Sequence, residues 1–210
     1  MTRKDECCYR TVHVVDDDDA LRDSLVWLIE GAGYAVNAYP DAESFLDALS
    51  VIEPGCIVSD IRMPGLSGLQ LFDALKARDV PFPVIFLTGH GDVPMATGAL
   101  RAGAIDFLEK PVDEMVLLAR IEEALARLAA ECSERAAKEA FAARLAKLTP
   151  REREVFDRVV SGYLNKQIAD ELAISIKTVE VYRARVMEKM GCGKVAELVA
   201  LWAHHQQSSG

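Results

Sequence analysis

The sequence predicts an α/β domain built on a parallel sheet of five strands, in the order 2-1-3-4-5, followed by an all-α domain of four helices. Three observations predict it. Short β-branched runs alternate with helical patterns over the first 130 residues; residues 113–148 then contain neither Pro nor Gly; and a new helix-start signal opens at residue 149.

The strand candidates are residues 11–15, 36–39, 56–59, 84–87 and 106–108. Helix candidates at 20–31, 42–49, 66–78 and 93–102 lie between them, and a long one starts at Asp113. Strands at this spacing, each followed by a helix, indicate a parallel sheet covered on both faces. Right-handed crossovers leave few topologies, of which the flavodoxin-like order suits five strands. Leu118, Ile121, Leu125, Leu128 and Cys132 recur three and four apart, the stripe of a helix that packs on something. Residues 131–147 are too polar for a core and read as a helical linker, paired with a second copy or solvated. Thr149 and Glu152 form a capping box with Pro150 at the first helical position. Further helices are expected at 166–173, 176–190 and 195–204, ahead of the polar tail HHQQSSG. The expected division is therefore 10–130, a linker at 131–147, and 148–207.

Composition narrows the function. No apolar stretch approaches the ~18–20 residues of a membrane span, and MTRKDECCYR lacks the apolar segment of a signal peptide. A cytoplasmic protein without membrane partners is expected. The five cysteines are odd in number and scattered, which argues against a disulfide framework or a Cys/His metal site. Residues 1–148 hold 15 Lys and Arg against 25 Asp and Glu, a net of −10, whereas residues 149–210 hold 9 against 8, a net of +1. The front repels nucleic acid; the back can meet it where its cations cluster.

The apolar run TVHVV ends in four aspartates, Asp16 to Asp19. In an open parallel sheet, ligands sit beyond the carboxyl ends of the strands where the strand order reverses, here between the first and third. The first ends in Asp16 and Asp17, the third in Asp60. Three carboxylates meeting at one spot cost several kcal/mol unless protons or a cation fill the site. Oxygen ligands without His or Cys suit Mg²⁺. Asp18 and Asp19 fall at the next helix start, where negative charge caps free N–H groups. The fourth strand brings Thr88 to the same edge, and the fifth brings Lys110. A carboxylate, an ammonium and a hydroxyl are what a phosphoryl group needs.

VVDDD, VSDIRMPG, FLTGHGD and DFLEKP resemble the receiver domain of two-component response regulators over about residues 10–130. The resemblance implies that Asp60 is the phosphoacceptor and that Asp16 and Asp17 support Mg²⁺ with the Arg62 backbone carbonyl. It further implies that Thr88 and Lys110 grip the phosphoryl oxygens, that Lys110–Pro111 is cis, and that Phe107 is the switch aromatic. Arg62 and His90, two residues beyond Asp60 and Thr88, offer no evident base for attacking water, so a long-lived phosphorylated form is expected.

In the second domain, Val179, Tyr182, Val186 and Met190 are spaced to face a core. The opposite face of that helix carries Lys177, Thr178, Glu180, Val181, Ala184 and Arg185, with Arg183 flanking, and small and charged residues near a helix start can enter a major groove. LTPRERE, GYLNKQIADELAIS, KTVEVYRARVMEKMG and ELVAL resemble the LuxR/FixJ type of helix-turn-helix; Ile176 departs from it at a position more often polar or Pro. The resemblance makes Glu180, Val181 and Ala184 base readers. Lys177, Arg183, Arg185, Lys166 and Lys189 would contact phosphates. Val195, Leu198, Val199 and Trp202 line one side of the last helix, suited to packing or to self-pairing.

Together these imply a transcriptional regulator, not an enzyme beyond its own phosphorylation and slow dephosphorylation. Its implied partners are a sensor histidine kinase, promoter DNA, RNA polymerase and a second copy on phosphorylation. Three alternatives stay open: a phosphatase using Asp16 and Asp18, a module that signals through protein contacts alone, and a constitutive DNA binder.

Overall fold

The computed structural model describes residues 9–78, 80–89, 98 and 103–207. The chain divides into two compact units, Met1–Cys132 and Ser133–Gly210.

In the first unit the strands are β1 (Thr11–Val15), β2 (Ala35–Tyr39), β3 (Cys56–Asp60), β4 (Val84–Thr88) and β5 (Asp106–Glu109). All pairings are parallel, and the order is β2-β1-β3-β4-β5, as expected. The three central strands are wholly or almost wholly buried, which explains their continuous apolar runs; the edge strands β2 and β5 are partly exposed. Side chains alternate between two cores. His13, Val15, Ile57, Val84 and Phe86 face Phe45 of α2 (Ala42–Ala48) or Leu71, Phe72 and Leu75 of α3 (Gly68–Ala77). Val12, Val14, Cys56, Val58, Ile85 and Leu87 face Leu25 and Ile29 of α1 (Asp19–Gly31) and Leu117, Ile121, Ala124 and Leu125 of α4 (Glu114–Ala146). Each fully buried Leu, Ile or Phe stabilises by roughly 1.5–3 kcal/mol, so both helical layers are held firmly on the sheet.

Local capping explains the shifts from the expected boundaries. Helix α3 begins at Gly68, not 66, because Ser67 is its N-cap in a capping box with Gln70. Asp113 accepts from Met115 N and Val116 N and so caps α4 from outside it. Of the helix expected at 93–102 only residue 98 is described, in helical conformation, and His90 lies outside the described residues.

The second unit contains α5 (Pro150–Val160), α6 (Asn165–Leu172), α7 (Ile176–Met190) and α8 (Val195–Gln207). Thr149 and Glu152 form the expected capping box. Ala173, at φ +53°, ends α6, and Ser175 caps α7 two residues later, which makes the turn between them tight. The core joins Val155, Phe156, Ile168, Val179, Val186, Met190 and Leu198. It also takes Phe141, with Leu145 and Leu148 against it. The expectation that residues 131–147 are too polar for a core therefore fails at its end, where Phe141 is buried and Leu145 partly so, while their neighbours stay exposed. The stripe of α8 also splits. Leu198 is buried and Trp202 meets Phe156 edge-on at 5.4 Å, whereas Val195 and Val199 remain exposed.

Candidate phosphoryl and DNA sites

The sheet register sets the first site. Val15 pairs with Ser59, Asp60 with Leu87, and Thr88 with Glu109, so β1, β3, β4 and β5 end at one level. Oxygens of Asp16, Asp17 and Asp60 lie within 4.8 Å of one another. Asp16 is fully buried, Asp60 half-buried and Asp17 exposed. Asp16 accepts from Asp18 N (2.9 Å) through Oδ1, and its backbone N–H donates to Tyr39 C=O (3.2 Å). Asp60 Oδ1 accepts from Arg62 N at 3.2 Å.

Lys110 bridges the two carboxylates, donating to Asp60 Oδ2 at 2.8 Å and Asp16 Oδ2 at 2.9 Å. Burial disfavours its ammonium, but the hydrogen bonds and charges of Asp60 and Asp16 outweigh that and hold its pKa above the usual lysine value. One ammonium faces three carboxylates, so a hard cation still fits, and the donor set is all oxygen. The Lys110–Pro111 peptide is cis, as expected. Thr88 is 3% exposed with Oγ1 donating to Gly89 C=O (3.0 Å), and Phe107 on β5 is half-buried against the α3-side core.

Two supporting residues escaped sequence reasoning. Arg22 Nη1 donates to the Asp16 carbonyl (2.7 Å) and also pairs with Asp19. Gly68 brings the start of α3 against β3, since a Cβ there would lie 2.1 Å from the Asp60 carbonyl. Asp18 accepts from Ala20 N and Leu21 N, the capping role expected of it, while Asp19 is the first residue of α1. Both carboxylates have their oxygens hydrogen-bonded, but Asp16 is fully buried and Asp60 only half-buried, so Asp60 is the more accessible of the two.

On the second unit, α7 turns Val179, Val186 and Met190 into the core and Tyr182 partly so. Lys177, Glu180, Val181, Ala184 and Arg185 are exposed, and Thr178 and Arg183 are half-buried. Ser175, Lys177, Thr178, Val181, Tyr182 and Arg185 line a shallow hollow of about 260 Å³. Lys166 is exposed on α6. Lys189 is placed otherwise than expected: its Nζ donates to Glu152 (2.6 Å) and to the Lys147 carbonyl (3.1 Å), so its charge is engaged within the domain.

An open α/β sheet with an acidic, lysine-bridged edge, joined to four helices with a capped helix-turn-helix, defines a response regulator that binds DNA. The chain belongs to the response regulator receiver domain family over residues 12–122 and to the luxR family of bacterial regulatory proteins over residues 146–202. It is 48% identical to the transcriptional regulatory protein FixJ of Bradyrhizobium diazoefficiens over 190 residues, 90% of this chain and 93% of the relative. It is 45% identical to the C4-dicarboxylate transport transcriptional regulatory protein DctR of Rhodobacter capsulatus over 194 residues, 91% and 98% of the two chains. Among solved structures, the response regulator StyR matches with a TM-score of 0.85 at 40% identity, covering 92% of this chain and 98% of that one. Full-length FixJ from B. japonicum matches at 0.60 and 47% identity, covering 94% and 97%. Among the described residues no helix is long and apolar enough to cross a membrane.

Proposed function

We propose that Asp60 accepts a phosphoryl group from a phosphohistidine of a sensor kinase and that this controls promoter binding by α7. The observation that carries the reading is the Lys110 bridge between the half-buried Asp60 and the buried Asp16. An Asp60 carboxylate oxygen attacks phosphorus; the P–O bond forms as the P–N bond breaks, and the departing imidazole takes up a proton. Lys110 then exchanges its Asp60 contact for the new phosphoryl oxygens, and Thr88 donates its hydroxyl to them. Asp16, Asp17, Asp60 and the Arg62 carbonyl would hold Mg²⁺, which supplies charge neutralisation for the incoming phosphoryl oxygens. Arg22 and the Tyr39 carbonyl keep the Asp16 backbone in place. Movement of Thr88 draws Phe107 inward and re-forms the face around β5.

The functional division follows residues 10–130, 131–147 and 148–207. Phosphorylation favours a two-fold dimer, which couples two half-site contacts and so raises affinity for promoter DNA. Lys177, Thr178, Arg183, Arg185 and Lys166 position the domain on the backbone, Glu180, Val181 and Ala184 read bases, and bound protein then engages RNA polymerase in the cytoplasm. With Arg62 and His90 at the sequence positions two beyond Asp60 and Thr88, neither an evident base for water, the phosphorylated form is long-lived, and its chemistry is gain and slow loss of that group.

The test is selection of bound DNA from random fragments with and without a small acyl-phosphate donor. A common two-fold sequence, enriched with the donor and not in an Asp60→Asn protein, supports the reading. Equal enrichment in both proteins points to constitutive binding instead. Loss of the phosphoryl group within seconds from purified protein refutes the long-lived form.

A further inference from the structure

The loop of residues 61–67, between β3 and α3, carries the Arg62 carbonyl and begins beside Asp60. Ile61 and Met63 fix its first half through side chains in the core, and Gly68 N donates to Ile61 C=O (3.0 Å) at its far end. Between those anchors, Glu43 of α2 reaches the loop from outside. Its Oε1 accepts from Leu66 N at 3.0 Å, across 23 positions of sequence. The neighbouring Gly65 has φ +74°, and a Cβ there would lie 2.5 Å from the same oxygen. The Glu43 carboxylate is thus seated against two consecutive residues of backbone, and the absence of a side chain at 65 admits it.

We propose that Glu43 is a positioning residue for divalent-cation binding at Asp60, acting through this loop. The inference rests on reading Asp16, Asp17, Asp60 and the Arg62 carbonyl as the Mg²⁺ ligands. Arg62 contributes twice: its N–H holds Asp60 Oδ1 at 3.2 Å, and its carbonyl is the expected further ligand. A shift of the loop displaces both. Mg²⁺ demands near-octahedral geometry at about 2.0–2.1 Å and tolerates misplaced oxygens poorly. A loop released at Leu66 must be ordered anew each time the cation binds, and affinity falls by that cost. Glu43 itself is exposed, with its fold-bearing neighbours Ala42 and Phe45 on the buried side of α2.

The full-length protein is titrated with Mg²⁺ alone by calorimetry, and hydrogen exchange of the 61–67 segment is followed by mass spectrometry. Wild type is compared with Glu43→Ala, Glu43→Gln and Glu43→Asp, with Asp16→Asn as the control for the site. Glu43→Ala is expected to weaken Mg²⁺ binding about three- to tenfold, the range of one hydrogen bond, and to speed exchange in the loop. Glu43→Gln keeps the accepting oxygen and is expected to match wild type in both. Glu43→Asp keeps the charge but is one methylene too short, and is expected to follow alanine even if alanine folds poorly.

Unchanged Mg²⁺ affinity in Glu43→Ala and Glu43→Asp, with Asp16→Asn impaired, overturns the proposal alone. Loss in Glu43→Gln with retention in Glu43→Asp also overturns it, because charge and not the bond to Leu66 then matters. If wild type and Asp16→Asn bind Mg²⁺ equally, the metal-site reading fails, and the proposal with it.

Discussion

Lys110 Nζ lies 2.8 Å from Asp60 Oδ2, and the same ammonium is 2.9 Å from the fully buried Asp16. Replacing Lys110 by Met leaves two carboxylates facing each other, one of them without access to water. Unpaired buried acceptors cost about 1–3 kcal/mol, so the receiver unit of Lys110→Met should be less stable by roughly that amount. Urea unfolding in EDTA measures it. Millimolar Mg²⁺ should restore much of the loss, because a divalent ion neutralises the same charges; an equal loss with and without Mg²⁺ counts against the cation site.

His13 makes a second prediction, on pH. It sits on the central strand β1, fully buried, stacked on Phe82 at 5.7 Å, with Nε2 on the Glu53 carbonyl and Nδ1 lacking a partner among the described residues. Burial pulls its pKa below the ordinary histidine value, and the Glu53 contact only partly opposes this. Below about pH 6.5, the unfolded chain takes up a proton that the folded chain refuses. Stability is therefore full above that pH and declines as pH falls towards the lower folded value, by at most about 1.4 kcal/mol per pH unit. His13→Phe keeps the ring stack and should flatten the curve below about pH 6.5. A slope that persists in the variant belongs to another group.

The Glu152–Lys189 pair acts in the opposite half of the chain and at lower pH. The Lys189 hydrogen bond, then that of the Thr149 backbone, hold the Glu152 carboxyl below its usual value. A depressed folded pKa contributes stability that is present above the unfolded value, about 4.3, and is lost as pH falls through the folded one. Glu152→Gln should remove that acid-labile contribution. It should also lower the melting temperature of the C-terminal unit at neutral pH, since the capping box loses its charge on Lys189. Thermal unfolding followed by Trp202 fluorescence reads this unit: Trp202 contacts Phe156 in its core, and the other tryptophan, Trp27, is on α1.

Most strand ends were legible because β-branched runs and chain punctuation act locally, and the sheet order because right-handed crossovers leave few topologies. So was the meeting of Asp16, Asp17, Asp60, Thr88 and Lys110 near one edge, since strand order and parallel direction alone bring strand ends together. What sequence could not supply were individual side-chain to backbone bonds, whether six residues apart or twenty-three. Arg22 on the Asp16 carbonyl and Glu43 on Leu66 have no periodic or compositional signature. Phe141 was missed for a related reason: a single aromatic in a run of Ala, Glu and Arg is too sparse to raise a helical stripe. The bond from Lys189 to Glu152 was not legible, because a cation on an amphipathic helix looks the same whether it meets a phosphate or a buried carboxylate.

That ambiguity is resolved by salt. A lysine that contacts a DNA phosphate releases about one counterion, so its removal lowers the magnitude of the log affinity against log salt slope by about 0.9. Lys177→Ala and Arg185→Ala, exposed around the α7 hollow, should each show this loss with all sequences weakened alike. Lys189→Met should leave the slope at its wild-type value, because its ammonium is already bound to Glu152 and the Lys147 carbonyl; only stability of the unit should drop. Glu180→Ala should act differently again. Its slope should not fall, and discrimination at one base pair should relax by about 1–3 kcal/mol. Filter or anisotropy titrations at several salt concentrations, on the selected site and on single-base variants of it, separate the three behaviours. A reduced slope for Lys189→Met together with an unchanged one for Lys177→Ala would move the phosphate contacts from the start of α7 to its end.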